Sequence, residues 1–221
     1  MRLEAPVLCL VTDRRRLVGR DDTFAAARSR LAELALQAVD AGVDIIQVRE
    51  RDLDAAALVE LVTVINDIAR GSSTRVVVND RLDVALACVA GGVHLRSDSI
   101  PPVAARAIAP QEFLIGRSVH TVEEAVGSWS AADYLVAGTV FPSASKPTGG
   151  RLLGCDGLTM IGRAVPVPVL AIGGMTIERA RQAAAAGAAG IAAIGLFLGA
   201  RSMRSVVTAV RTQFDRIRSD S

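Results

Sequence analysis

The sequence predicts an α/β fold, a single (β/α)8 barrel occupying residues 1–221. Three observations carry that expectation. Eight short aliphatic runs recur, segments of helical spacing separate them, and no composition shift, linker or low-complexity tract divides the series. The runs are Val7–Thr12, Val43–Arg49, Arg75–Asn79, Gly92–Leu95, Phe113–Gly116, Asp133–Val140, Val167–Ile172 and Ala189–Ile194. Their apolarity is continuous and rich in Val and Ile, as in parallel strands covered on both faces. Strand and helix alternating over this length favour a closed barrel, with an open doubly wound sheet as the alternative.

The intervening helices are read at Ala25–Val39, Ala55–Ala69, Val122–Ser128, Ile177–Ala186 and Val206–Ile217. Ala41-Gly42, Ala90-Gly91 and Ala186-Gly187 each put a glycine where a helix has to stop before the next strand.

Composition narrows the function classes. With 221 residues, 51% hydrophobic, 3% aromatic and a formal charge of +2, the chain has no basic stripe interleaved with aromatics, which argues against nucleic acid as a partner. Cys9, Cys88 and Cys155 are odd in number and lack paired metal spacing. That usage fits a reducing compartment. The apolar run near the N-terminus is too short for a signal peptide, and none reaches the ~18 residues of a membrane span. A cytoplasmic protein without membrane partners is the expectation.

In a barrel of this class the active site forms at the carboxyl ends of the strands. The second run ends on Gln47, Arg49 and Arg51, which alternation places on one side. Two guanidinium groups aimed the same way call for an anion, or else for structural ion pairs with Glu50 or Asp52. Other strand ends carry Thr12-Asp13-Arg14, Asn79-Asp80-Arg81, His94 with Arg96, Ser97 and Asp98, Arg117-Ser118-Val119-His120, and Ser143-Ala144-Ser145-Lys146. Singly, Asp80 reads as an N-cap, Ser118 as a turn residue, and His94 and His120 as rim side chains. The last two strands end on glycine, in Ala171–Met175 and Ala192–Leu196. Bare backbone there suits a phosphate, although tight strand-to-helix turns use glycine for the same reason.

The segments QVRER, VNDRLDVAL, GVHLRSD, IGRSVHTVEEA, AGTVFPSASK and VLAIGGM, in that order, resemble the thiamine-phosphate synthase family and its sister group, the thiazole tautomerases. The likeness runs from Val7 to Leu198. It implies a (β/α)8 barrel that couples hydroxymethylpyrimidine diphosphate to a thiazole phosphate, releasing pyrophosphate, in thiamine biosynthesis. By the resemblance, Gln47 and Ser118 hold the pyrimidine. Arg49, Arg51 and Lys146 hold the diphosphate, with Asn79 assisting. Ser143 and Ser145 stand near the thiazole phosphate, and backbone around Gly174, Ile194 and Gly195 completes that pocket. Asp80 binds magnesium, and relatives suggest a homodimer.

Two departures from the family stand out. Arg51 replaces the usual lysine, keeping the charge but changing its geometry. The family's Gly-Gln-x-Asp reads Arg96-Ser97-Asp98-Ser99, so Ser99 falls where a second metal carboxylate belongs. Asp98, one residue away, is the candidate replacement, and Arg96 can take part of the cation's role. The tautomerases resemble the chain in that segment; in that alternative His120 shuttles a proton during isomerisation of a thiazole carboxylate phosphate. A non-catalytic barrel that binds thiazole phosphate is the second alternative.

Overall fold

The structure, a computed structural model, describes residues 3–19, 23–143 and 152–219. In chain order its first half runs β1 (Val7–Val11), α1 (Phe24–Ala41), β2 (Ile45–Val48), α2 (Ala55–Ala69), β3 (Arg75–Asn79), α3 (Leu82–Ala87), β4 (Gly92–Leu95) and α4 (Pro102–Ile108). The second half continues with β5 (Leu114–Val119), α5 (Val122–Val126), β6 (Tyr134–Gly138), α6 (Gly154–Ala164), β7 (Val169–Ile172), α7 (Ile177–Ala185), β8 (Gly190–Ala193), α8 (Gly195–Leu198) and α9 (Met203–Ser219). The strands close in sequence order into an all-parallel ring, β8 pairing back onto β1. The predicted closed barrel is the fold, and the open sheet is set aside.

The aliphatic runs resolve into two packing layers. Val7, Cys9 and Val11 fill the barrel interior with Ile45, Val77, Tyr134 and Leu170. Leu8 and Leu10 point the other way, against the helices, with Ile46, Val48, Leu31 and Leu61. Both faces of each strand are therefore dry, which is why alternation is invisible in the sequence. It also means that Gln47, two residues beyond the inward Ile45, looks into the barrel.

Side chains set the helix starts. Thr23, Asp54, Thr121 and Thr176 each accept the N–H three residues on, an N-cap worth ~1 kcal/mol. Gly42 (φ 79°) and Gly187 (φ 85°) stop the chain in the left-handed region, as expected. Gly91 does not. Helix α3 ends earlier, at Ala87, and Val89 (φ 51°) makes the left-handed turn; Gly91 instead lies where a Cβ would crowd the Val76 carbonyl at 3.2 Å. The fifth strand, expected to end at Gly116, continues to Val119 because Ser118 and Val119 still pair with Val136 and Ala137 of β6.

At the amino ends of the strands, two aspartates do the same job. Asp44 precedes β2, accepts the Leu8 N–H at 2.7 Å and pairs with Arg211 of α9 at 3.0 Å. Arg211 also donates to the Pro6 and Gly42 carbonyls. Asp133 precedes β6, accepts the Ile115 N–H at 2.7 Å and pairs with Arg106 at 2.5 Å. These ties hold the base of the barrel and leave the opposite rim open for chemistry.

Candidate active site

At the carboxyl ends of the strands lies a cavity of about 750 Å³. Strand β2 delivers Gln47, Arg49 and Arg51 to its wall, with Asn79 from β3 and His94 and Arg96 from β4 and the turn beyond it. Ser118 and His120 come from β5 and its following turn, Ser143 follows β6, and the β7 and β8 turns contribute Gly173, Gly174, Ile194 and Gly195. Asp98 also reaches the wall. Ser145 and Lys146 lie outside the described residues.

The local chemistry explains why the strand-two cations face inward. Glu50, 5% exposed, accepts the Thr12 hydroxyl at 2.6 Å and the backbone N–H and guanidinium of Arg14. Asp52 takes both Arg14 terminal nitrogens at 2.6 Å and Arg15 at 2.7 Å. Arg14, first of these partners, holds the Asp52 carboxyl well below the usual carboxylate range. The nearby carboxylates are thus engaged with the β1 turn, and among the described residues neither Arg49 nor Arg51 has an ion pair. Thr12 in turn accepts the Arg49 N–H at 2.9 Å, fixing the backbone that aims that side chain. Burial pushes the Arg49 guanidinium down from its ordinary pKa, and Arg51 and Arg96 push it further. Half-buried like charges held together favour an anion between them.

Beside these cations stands a polar cluster. The Gln47 side-chain amide donates to Asn79 Oδ1 at 3.0 Å. His94, 2% exposed, sits between Ser118 Oγ, 2.8 Å from Nε2, and the Tyr134 hydroxyl, 3.3 Å from Nδ1. Burial, then Arg117 and Arg49, pushes the imidazole pKa down to about 3, so the ring is neutral and pairs with hydroxyls rather than carboxylates. His120 is more exposed, and its backbone N–H and Nδ1 both face the Glu124 carboxylate, at 2.7 and 3.2 Å.

Asp80 has φ 67°, an uncommon backbone state for a residue with a Cβ, and its N–H donates to the His94 carbonyl. Its carboxylate accepts the Ser99 hydroxyl and stands 3.7 Å from Arg96, whose other terminal nitrogen meets Asp98 at 2.5 Å. Arg117 pins this segment by donating to the Ser97 and Ile100 carbonyls. Asp80 itself does not line the cavity, and the described residues hold no cluster of three or more His, Cys, Asp or Glu able to ligate a metal. One guanidinium, Arg96, thus lies beside both carboxylates that the family resemblance offers to a magnesium ion, so in this arrangement a side-chain cation competes for them.

On the other arc, Gly173 (φ 105°) and Gly174 (φ 59°) form the β7 turn. A Cβ on Gly174 would lie 2.3 Å from the Pro142 carbonyl, and one on Gly173 2.4 Å from the Thr139 methyl. The positive φ at both positions, and at Gly174 the Pro142 carbonyl as well, call for glycine, and the same bareness exposes the turn to the cavity. Arg179 braces it, donating to the Gly174 carbonyl at 2.6 Å and lying over the Phe141 ring. Two cavity arginines escaped the sequence reading: Arg179, in the first turn of α7 rather than at the end of β7, and Arg16, whose only signal was the run Arg14-Arg15-Arg16 behind β1.

Fold and site together define a (β/α)8-barrel enzyme that acts on small phosphorylated substrates. A family model described as "Thiamine monophosphate synthase" matches residues 8–197. The chain is similar to a thiamine-phosphate synthase of Methanoregula boonei, 40% identical over 202 residues, 88% of this chain and 93% of the relative. It is similar to another from Methanospirillum hungatei, 41% identical over 175 residues, 79% of this chain and 84% of the relative. The solved thiamine phosphate pyrophosphorylase of Pyrococcus furiosus superposes with a TM-score of 0.79 at 33% identity, covering 96% of each chain. The chain belongs to the thiamine monophosphate synthase family. No helix among the described residues is long and apolar enough to cross a membrane.

Proposed function

We propose that this chain couples hydroxymethylpyrimidine diphosphate to a thiazole phosphate and releases pyrophosphate. The observation that carries this reading is the pair of inward guanidinium groups, Arg49 and Arg51, kept clear of the carboxylates beside them. The bond between the pyrimidine methylene and the diphosphate oxygen breaks, and the leaving group departs with the electron pair. Fixed cations at the cavity wall stabilise that departing charge. The thiazole nitrogen then donates its lone pair to the methylene, so no general base is needed.

Gln47 and Ser118 offer amide and hydroxyl groups for the pyrimidine ring, Asn79, hydrogen-bonded to Gln47, assists the cations on the diphosphate, and the neutral His94 keeps the Ser118 hydroxyl aimed. Ser143 and the glycine turns of β7 and β8 serve the thiazole phosphate. Lys146 on the diphosphate and Ser145 on the thiazole phosphate complete the assignment that the family resemblance implies. The same reading carries a cytoplasmic enzyme and a homodimer.

An assay with both substrates tests the reaction. Pyrophosphate released in step with thiamine phosphate is the expected result. Isomerisation of a thiazole carboxylate phosphate through His120, without pyrophosphate, overturns the reading in favour of the tautomerase, and binding without any turnover leaves only the non-catalytic barrel.

Magnesium is a separate matter, because Arg96 holds both Asp80 and Asp98. Arg96→Ala removes a cation from the cavity wall and releases two carboxylates. The half-saturating magnesium concentration should fall about tenfold while maximal turnover also falls, a size typical of losing one charge-assisted hydrogen bond. Superimposable magnesium titrations of the two proteins would remove Arg96 from that role.

A further inference from the structure

The three arginines behind β1 are not equivalent. Arg14 and Arg15 are spoken for by Glu50 and Asp52. Arg16, next in the same short turn, has no ion pair among the described residues, and its side chain lines the cavity. Its direction is fixed by where it arrives. A Cβ built on Gly195 would meet Arg16 Nη2 at 3.3 Å and Nη1 at 3.4 Å, so the guanidinium lies against the bare backbone of the β8 turn.

Topology makes that position meaningful. Around the ring, β2 and β4 bring Arg49, Arg51 and Arg96 to one arc, while β7 and β8 bring glycine turns to the other. Strand β1 stands between β8 and β2, and Arg16 leans towards β8. On the glycine arc the other described cation is Arg179, and its Nη1 is already donated to the Gly174 and Pro142 carbonyls. Backbone N–H groups supply dipoles but no net charge, and a phosphate monoester at neutral pH carries close to two negative charges. A planar guanidinium with unused donors meets such a group in two-pronged fashion.

We propose that Arg16 is a substrate-binding residue that supplies the side-chain cation for the phosphate monoester held at the β7 and β8 turns. This rests on the reading of the substrate pair given above, since it assigns the monoester to the thiazole partner. It also makes Arg16 a discriminator: a thiazole alcohol lacking the phosphate gains nothing from it.

The test is direct binding, by calorimetry, of the thiazole phosphate and of its dephosphorylated alcohol to the full chain and to Arg16→Ala and Arg16→Lys. Arg16→Ala should weaken the phosphate by roughly 10–100-fold, the range for a charge-assisted hydrogen bond, and leave the alcohol within about twofold. Arg16→Lys should recover part of the loss. In turnover, KM for the thiazole phosphate should rise and KM for the diphosphate should stay put. Arg16 is exposed on a turn, so the variant should melt like the parent chain. Equal losses for phosphate and alcohol, unchanged phosphate affinity, or no thiazole phosphate binding by the parent chain each overturn the proposal. Because binding is read without the second substrate, a parent chain that binds but releases no pyrophosphate sinks the proposed reaction and leaves the Arg16 assignment standing.

Discussion

Arg49→Met is expected to lower kcat/KM for the pyrimidine diphosphate by about two to three orders of magnitude, the loss seen when one preorganised group facing developing charge is removed. The geometry explains why this position outweighs its neighbours. Arg49 is half-buried, its backbone N–H is locked to Thr12, and Thr12 is locked to Glu50. Arg51 is exposed, and Arg96 is already shared between two aspartates. The substitution keeps most of the volume and deletes a charge that is partly desolvated and repelled by its neighbours. The variant should therefore be at least as stable as the parent chain while losing activity, the usual trade at a binding site. Steady-state kinetics and a melting curve together check both halves. A loss smaller than tenfold, or a lowered melting point that accounts for the lost activity, would take Arg49 out of the diphosphate site.

The second large effect is on stability under acid. His94 is held neutral among buried neighbours, its pKa pushed down to about 3 by burial and then by Arg117 and Arg49. In the unfolded chain a histidine titrates near 6.5. The folded value is the lower one, so between these pH values the unfolded chain binds the extra proton. The stability contributed by neutral His94 is present above about pH 6.5 and drains away as pH falls towards 3, at up to ~1.4 kcal/mol per pH unit. His94→Asn removes that proton from the balance. Urea unfolding at pH 7 and pH 5 should show the parent chain losing roughly 2 kcal/mol more than the variant over the interval. Equal losses would mean that His94 is not the buried neutral group described.

Much of the scaffold was legible because burial on both faces writes strands as unbroken Val and Ile, as in Arg75–Asn79, whose bounds agree with the reading. Helices α3, α4 and α8 were missed for want of length, and α6 because Gly154, Gly157 and Gly162 weaken the helical signal inside it. The stop at Ala90-Gly91 was misplaced because Val89 adopts a state that β-branched residues rarely take. In the site, Gln47, Arg49 and Arg51 could be read because the two-residue period outlasts β2 by a few residues. The fate of Glu50 and Asp52 could not, since their partners sit some forty residues back in the chain, on the turn after β1. Arg16 was hidden for the same reason, its counterpart Gly195 being nearly the whole chain away. The bridge from Asp80 through Arg96 to Asp98 turned two candidate metal ligands into partners of a guanidinium, which spacing alone does not reveal.

The clasp between Asp44 and Arg211 has a consequence for synthesis of the molecule. Leu8, Asp44 and Arg211 meet only after the ribosome has released α9, and β1 finds its second neighbour only when β8 exists. Until that moment the nascent sheet carries an unzipped edge along Val7–Val11, five apolar residues with backbone groups open to any other strand. Sealing the seam is a long-range, late event, and such contacts form slowly. The interval before it is when this chain is most exposed to aggregation.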